Sequence, residues 1–201
     1  MNLIEKLTVQ HFHEHRVQDF GVNSVEALGW RNKASQEKRF EVLTQIGDLS
    51  NSSVLDMGCG YGDLKLFLDE HFQGFTYVGV DQIHEFIVNA SNKFSVYEKT
   101  YFVEADFSKL FFADIDYIIG SGAFGYRCER KEYYLETIIH MFQNAKKGIA
   151  FNMLDDELFP KNELIKAHNR TEIKIFCEGL SNQVKIVDGY LEDDFTVFVW
   201  K

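Results

Sequence analysis

From Ser53 onward the chain alternates short β-branched or aromatic runs with stretches whose apolar residues recur at helical spacing. That is the pattern of a parallel sheet covered on both faces. Strands are expected over Ser53–Asp56, Thr76–Asp81, Thr100–Glu104, Asp116–Gly120 and Gly148–Asn152. Between them, Ile83, Phe86, Ile87 and Ala90 form one helical stripe and Leu135, Ile138, Ile139 and Phe142 another, each expected to face the sheet. The segment after Gly62, with Leu64, Phe67, Leu68 and His71 at compatible spacing, also reads as a helix. Gln183–Val187 and Phe195–Val199 are joined by residues 188–194 alone, too short a link for a parallel crossover, so they are expected to form an antiparallel hairpin. Before Ser53 the pattern is helical and polar. Ser35 is placed to cap a helix carrying Phe40, Leu43 and Ile46 on its apolar side and ending at Gly47, a cover over the sheet edge or its ligand.

Composition narrows the class without changing that picture. With 201 residues, 45% hydrophobic, 26% charged and a single proline, the chain has the make-up of one globular domain. No apolar run approaches the ~18 residues of a membrane span, and the start, Met-Asn-Leu-Ile-Glu-Lys, lacks the apolar core of a signal peptide, so a cytoplasmic location is expected. Cys59, Cys128 and Cys177 form no C-x-x-C pair, which suits a reducing compartment and gives no reason to expect a metal. The net charge of -10 argues against a large phosphate-binding surface and disfavours nucleic acid as a partner.

The most informative stretch is Val54-Leu55-Asp56-Met57-Gly58-Cys59-Gly60-Tyr61-Gly62-Asp63, a buried strand running into a glycine-rich turn and then a helix. Glycines let a ligand approach the backbone closely at a helix N-terminus. The spacing is G-x-G-x-G and not the G-x-G-x-x-G of dinucleotide enzymes, and Asp56 stands just before it, where it would repel a pyrophosphate and suit an ammonium group. The next strand ends in Gly79-Val80-Asp81, a carboxylate able to accept from both hydroxyls of a ribose. The third is followed by Ala105-Asp106-Phe107, an acceptor for an exocyclic amine beside an apolar cover for a ring.

Taken in order, these strand tips resemble the class I S-adenosylmethionine-dependent methyltransferases, from about Ser53 to Lys201 including the terminal hairpin. The resemblance implies a Rossmann-like α/β fold: a doubly wound, mostly parallel sheet with a C-terminal antiparallel β-hairpin over residues 51–201, and an N-terminal helical lid over 1–50. It implies S-adenosyl-L-methionine as cofactor and S-adenosyl-L-homocysteine as product. Asp56, Gly58 and Gly60 would then hold the methionine part, Asp81 the ribose, Asp106 and Phe107 the adenine, with Gln82 against the adenosine and Ser121 beside the cofactor. The segment Trp30-x5-Gln36-x2-Arg39-Phe40 looks like the helix that closes over the cofactor in small methyltransferases, with the Arg39 fork suited to the cofactor's carboxylate.

Methyl transfer from a sulfonium is an in-line displacement, so a nucleophile must be placed behind the methyl and, where needed, relieved of its proton. After the fourth strand the sequence reads Ile119-Gly120-Ser121-Gly122-Ala123-Phe124-Gly125-Tyr126-Arg127, which departs from the [DN]-P-P-[YFW] signature of base and amide amino-methyltransferases. Phe124, Tyr126 and Asn152 are the candidate substrate contacts, Tyr126 and Asn152 the candidate catalytic groups. His11, His13 and His15 read as a polar helix in preference to a metal site, and one of them is available as a base. Cys59 reads as a packing residue. The expected activity is methyl transfer to an O or N atom of a small molecule. The alternatives are a cofactor-binding but non-catalytic partner protein of the same fold, and a protein or RNA methyltransferase.

Overall fold

A computed structural model describes residues 1–111 and 113–201. Seven strands form one sheet: β1 (Ser53–Met57), β2 (Thr76–Asp81), β3 (Thr100–Glu104), β4 (Ile115–Gly120), β5 (Ala145–Leu154), β6 (Val184–Asp188) and β7 (Asp194–Trp200). Their order is β3-β2-β1-β4-β5-β7-β6. β1 to β5 pair in parallel, and β7 runs antiparallel between β5 and β6. The fold is the expected Rossmann-like one with its terminal hairpin. Strand order reverses between β1 and β4, which opens a crevice at the carboxyl ends of those two strands.

Alternation along the central strands sends side chains to two separate cores. On one face Leu55, Met57, Ile118, Ile149 and Phe151 pack beneath α5 (Tyr133–Asn144) and α6 (Arg170–Glu178). On the other, Val54, Tyr77, Ile119, Ala150 and Phe198 meet α3 (Asp63–His71) and α2 (Lys33–Leu43). α4 (His84–Lys93) buries Phe86, Ile87 and Ala90 as its spacing requires. On α5 the expected Ile138 is buried and Leu135 and Phe142, half-buried, pack on the same core, joined by Tyr133, Tyr134, Thr137 and Met141, while Ile139 is half-buried.

The N-terminal fifty residues do two different things. α1 (Leu3–Phe20) starts with a reciprocal Asn2–Glu5 capping box, buries only Val9 and His13, and lies over the carboxyl end of the sheet. α2 is part of the wall. Phe40, Leu43 and, in the following turn, Ile46 belong to the second core. Asn32, not Ser35, caps it: the Asn32 side chain accepts the Ser35 amide at 2.9 Å. The Arg39 guanidinium then pairs with buried Asp194 at the start of β7, and so ties α2 to the hairpin.

Breaking that pair strands a buried charge. Asp194→Ala is expected to cost about 3–5 kcal/mol in urea unfolding, far more than an exposed ion pair would. A second test concerns His168, buried against Tyr134, with its Nε2 on the Phe124 carbonyl at 3.1 Å. Burial, the largest influence, pushes its pKa down to about 4 from 6.5. Because the unfolded chain binds the proton more readily, stability contributed by neutral His168 is complete above pH 6.5 and is lost as pH falls toward 4. The stability gap between the native protein and His168→Gln is therefore expected to be largest at pH 7 and to shrink by roughly 3 kcal/mol by pH 4.

Candidate functional site

A cleft of about 440 Å³ lies at the strand-order reversal, roofed by α1 and the turns that follow it. Its floor is the glycine turn after β1. The Gly58 and Cys59 amides donate to the Val80 carbonyl at 2.8 and 3.1 Å, and the Gly60 amide donates to Asp81 Oδ2 at 3.0 Å, so the turn wraps around the tip of β2. Gly58 and Gly60 have φ of +75° and +54°. A Cβ on Gly60 would also come within 2.7 Å of Leu28 from the roof. Cys59 is turned away and packs on Gly79. Burial, then Asp81 and Asp56, raises its thiol well above the usual range, which removes it as a nucleophile.

Three carboxylates converge on this floor. Asp56 accepts the Tyr77 hydroxyl at 2.6 Å, and burial pushes its pKa up to about 7, with Asp81 and Asp63 raising it further and Tyr77 opposing. Asp81 accepts the Gly60 and Ile83 amides, each at 3.0 Å, and is raised by burial against those hydrogen bonds. Asp63, which sequence reasoning passed over as a helix-start residue, accepts the Gln36 amide at 3.1 Å and has Lys93 at 3.4 Å. Among the described residues no Lys or Arg pairs with Asp56 or Asp81. Buried carboxylates crowded this closely call for a cation. The Ser121 hydroxyl, buried in the same cleft, has no hydrogen-bond partner. A ligand with an ammonium, a sulfonium and ribose hydroxyls fits this donor and acceptor set.

Trp30, Gln36, Arg39, Asp56, Gly58, Gly60, Asp81, Gln82, Phe107, Ser121, Tyr126 and Asn152 all line the cleft. Asp106 and Phe124 do not. Asp106 is turned toward α1, where it accepts Lys6 Nζ at 2.7 Å and Ser108 Oγ at 2.6 Å; burial would raise it, and these two partners hold it below the usual carboxylate range. Phe124 is buried in the first core against Phe151 and offers no surface to the cleft. Arg39 faces the cleft but is committed: it bonds the Ser35 carbonyl and Asp194 and stacks 4.7 Å from the Trp30 ring, leaving only Nε unpartnered. Asn152 is likewise spent. Its Oδ1 accepts the Gly122 amide and its Nδ2 donates to Asp194, both at 2.8 Å.

Among the three N-terminal histidines, only His13 enters the cleft. His13 Nδ1 lies 2.9 Å from the Ala27 carbonyl, an acceptor only, so Nδ1 carries the hydrogen and Nε2 offers its lone pair. The Tyr126 hydroxyl, 2.6 Å from Nε2, therefore donates to it. Burial lowers His13 below 6.5, with the Ala27 bond opposing and Arg16 adding to the shift; burial, followed by Asp81, pushes Tyr126 up. The result is a neutral imidazole poised behind a tyrosine. His11 and His15 are exposed and touch each other at 3.0 Å. Sequence spacing could not separate the three, because the roof's packing partners, Ala27 and Tyr126, lie far along the chain.

Residues 54–145 match a family model described as a methyltransferase domain. A Staphylococcus carnosus (strain TM300) protein named an uncharacterized methyltransferase is 26% identical over 145 residues, 71% of this chain and 67% of its own length. A protein of Mycobacterium tuberculosis (strain ATCC 25618 / H37Rv), also named as a methyltransferase, is 26% identical over 157 residues, 74% of this chain and 93% of its own. The solved magnesium protoporphyrin IX methyltransferase of Synechocystis PCC 6803 with bound S-adenosylmethionine superposes with a TM-score of 0.71 over 100% of this chain and 98% of that one, at 16% identity. The glycine turn, the carboxylate-lined floor and the β3-β2-β1-β4-β5-β7-β6 sheet agree with these matches, and together they support a class I S-adenosylmethionine-dependent methyltransferase.

Proposed function

We propose that the protein transfers a methyl group from S-adenosylmethionine to an oxygen or nitrogen atom of a small molecule, with the Tyr126–His13 pair as proton acceptor. When bound, the sulfonium supplies an activated methyl whose bond electrons leave with sulfur. Asp56 and Ser121 are the groups for the amino-acid end, Asp81 and Gln82 for the ribose, and Phe107 for the base. The observation that carries the reading is the roofed cleft, in which Tyr126 stands close enough to Asp81 to feel its charge while its hydroxyl is aimed at His13. Tyr126 takes the acceptor's proton as it passes its own to His13 Nε2, and Ala27 stabilises the imidazolium that forms. The roof narrows the cleft, and its inward-facing side chains favour a compact acceptor over a polymer.

Two measurements follow from this arrangement. Asp56 is close to half protonated at pH 7 and would be ionised against the cofactor's ammonium. Binding of S-adenosylmethionine should therefore release a proton near neutral pH, seen as a dependence of the calorimetric heat on buffer ionisation enthalpy, and affinity should rise from pH 6 to pH 8. Absence of proton release would place Asp56 away from the cofactor. For the chemistry, S-adenosylhomocysteine formation with a small-metabolite extract is the assay. Tyr126→Phe should lower turnover at least ~100-fold with S-adenosylhomocysteine affinity within twofold, and native activity should fall as pH drops below 6.5 and His13 charges. Affinity lost in parallel with turnover would make Tyr126 a wall residue. Labelling of RNA or protein fractions in place of small metabolites would overturn the acceptor class.

A further inference from the structure

Three arginines line the cleft, and two are answered by acids: Arg39 by Asp194 and Arg31 by Asp193 at 4.0 Å. Arg16 is different. It projects from α1 one turn beyond His13, on the same helix face, and it is half-buried. Its Nε donates to the Glu26 carbonyl at 2.5 Å, and its guanidinium lies 5.5 Å from the Phe12 ring and 4.7 Å from the Phe20 ring. Those contacts fix the plane of the group and leave its two terminal nitrogens unused, with no carboxylate in ion-pairing range among the described residues. Its charge is felt at both His13 and Tyr126, so it stands beside the proton-accepting pair.

A pre-oriented guanidinium with two free donors, set in an apolar cleft, is built to take a bidentate oxyanion. Phe12 flanks the guanidinium, and Phe159, Ile165 and Leu191 add apolar surface elsewhere in the same cleft, suited to an apolar body. We propose that Arg16 is the anion-binding residue of the acceptor subsite, and that the methyl acceptor is a small, largely apolar molecule carrying a carboxylate or phosphate group. The inference rests on the reading that the opposite half of the cleft takes S-adenosylmethionine. It sets one unpaired cation beside the proton-accepting pair, apart from the unpaired carboxylates Asp56 and Asp81 of the floor.

The test uses benzoate, phenyl phosphate and benzyl alcohol as probes, titrated by calorimetry into the full chain with and without saturating S-adenosylhomocysteine. At least one anion should bind tenfold or more tightly than benzyl alcohol, and whichever anion wins identifies the carboxylate or the phosphate as the native group. Arg16→Gln should abolish that preference while S-adenosylhomocysteine affinity stays within twofold. Arg16→Lys keeps the charge without the fork and should retain part of it, which guards against a variant that merely loosens the roof. Equal binding of the alcohol and both anions, or an anion preference that survives Arg16→Gln, would overturn the proposal. Failure of S-adenosylhomocysteine to bind the native protein would instead defeat the cofactor reading, and the titrations without it still decide the role of Arg16.

Discussion

The cleft is organised by carboxylates that the protein itself does not neutralise. Asp56 and Asp81 sit at the ends of adjacent parallel strands, two register steps apart, with Asp63 opening the helix that follows. Backbone amides, a tyrosine hydroxyl and a glutamine amide solvate them, and only Asp63 has a nearby ammonium. In a low-dielectric site this arrangement is unfavourable when empty and relaxes when a cation enters. The raised pKa of Asp56, the glycines that bring the turn onto β2 and the unpartnered Ser121 hydroxyl are consequences of building such a floor.

The roof completes the site from far away in sequence. α1 is held by contacts at several points along its length: Lys6 on Asp106, His13 on Tyr126 and Arg16 on the Glu26 carbonyl. The helix also buries Val9 and packs Val17 on the Ala27–Tyr61–Ile83–Phe86 cluster, while Leu3, Ile4 and Leu7 stay exposed. Separating this helix from the body costs those polar contacts together with the burial of Val9 and Val17. α2, by contrast, is anchored by Phe40, Leu43 and the Arg39–Asp194 pair, and belongs to the rigid wall. The groups proposed for proton transfer and anion recognition thus ride partly on the element that closes the cleft.

Sequence reasoning reached the sheet and its strand tips because each is a local signal. An apolar run, a glycine turn and a terminal carboxylate lie within ten residues of one another, and the hairpin follows from the shortness of its link. Local spacing failed where a residue's role is set by a distant partner. Arg39 read as a ligand fork until Asp194 supplied its counter-charge across the fold. Asn152 read as a free strand-tip amide, yet both its polar atoms are taken, by Gly122 and Asp194. His13 could not be told from His11 and His15, because only the fold brings Ala27 and Tyr126 to its two nitrogens. Phe124, two residues before Tyr126, is core because the fold brings Phe151 of β5 against it, a partner that its own stretch of sequence does not show.

The central claim is that buried negative charge selects the cofactor. The most direct measurement compares, by calorimetry at one pH and ionic strength, S-adenosylmethionine with 5′-methylthioadenosine, which shares the adenosine but lacks both the ammonium and the sulfonium charge, in the native protein and in Asp56→Asn. The account requires S-adenosylmethionine to bind at least tenfold more tightly than the neutral nucleoside, with most of that advantage gone in the variant. Equal affinity for the two ligands, or an advantage untouched by Asp56→Asn, would contradict it.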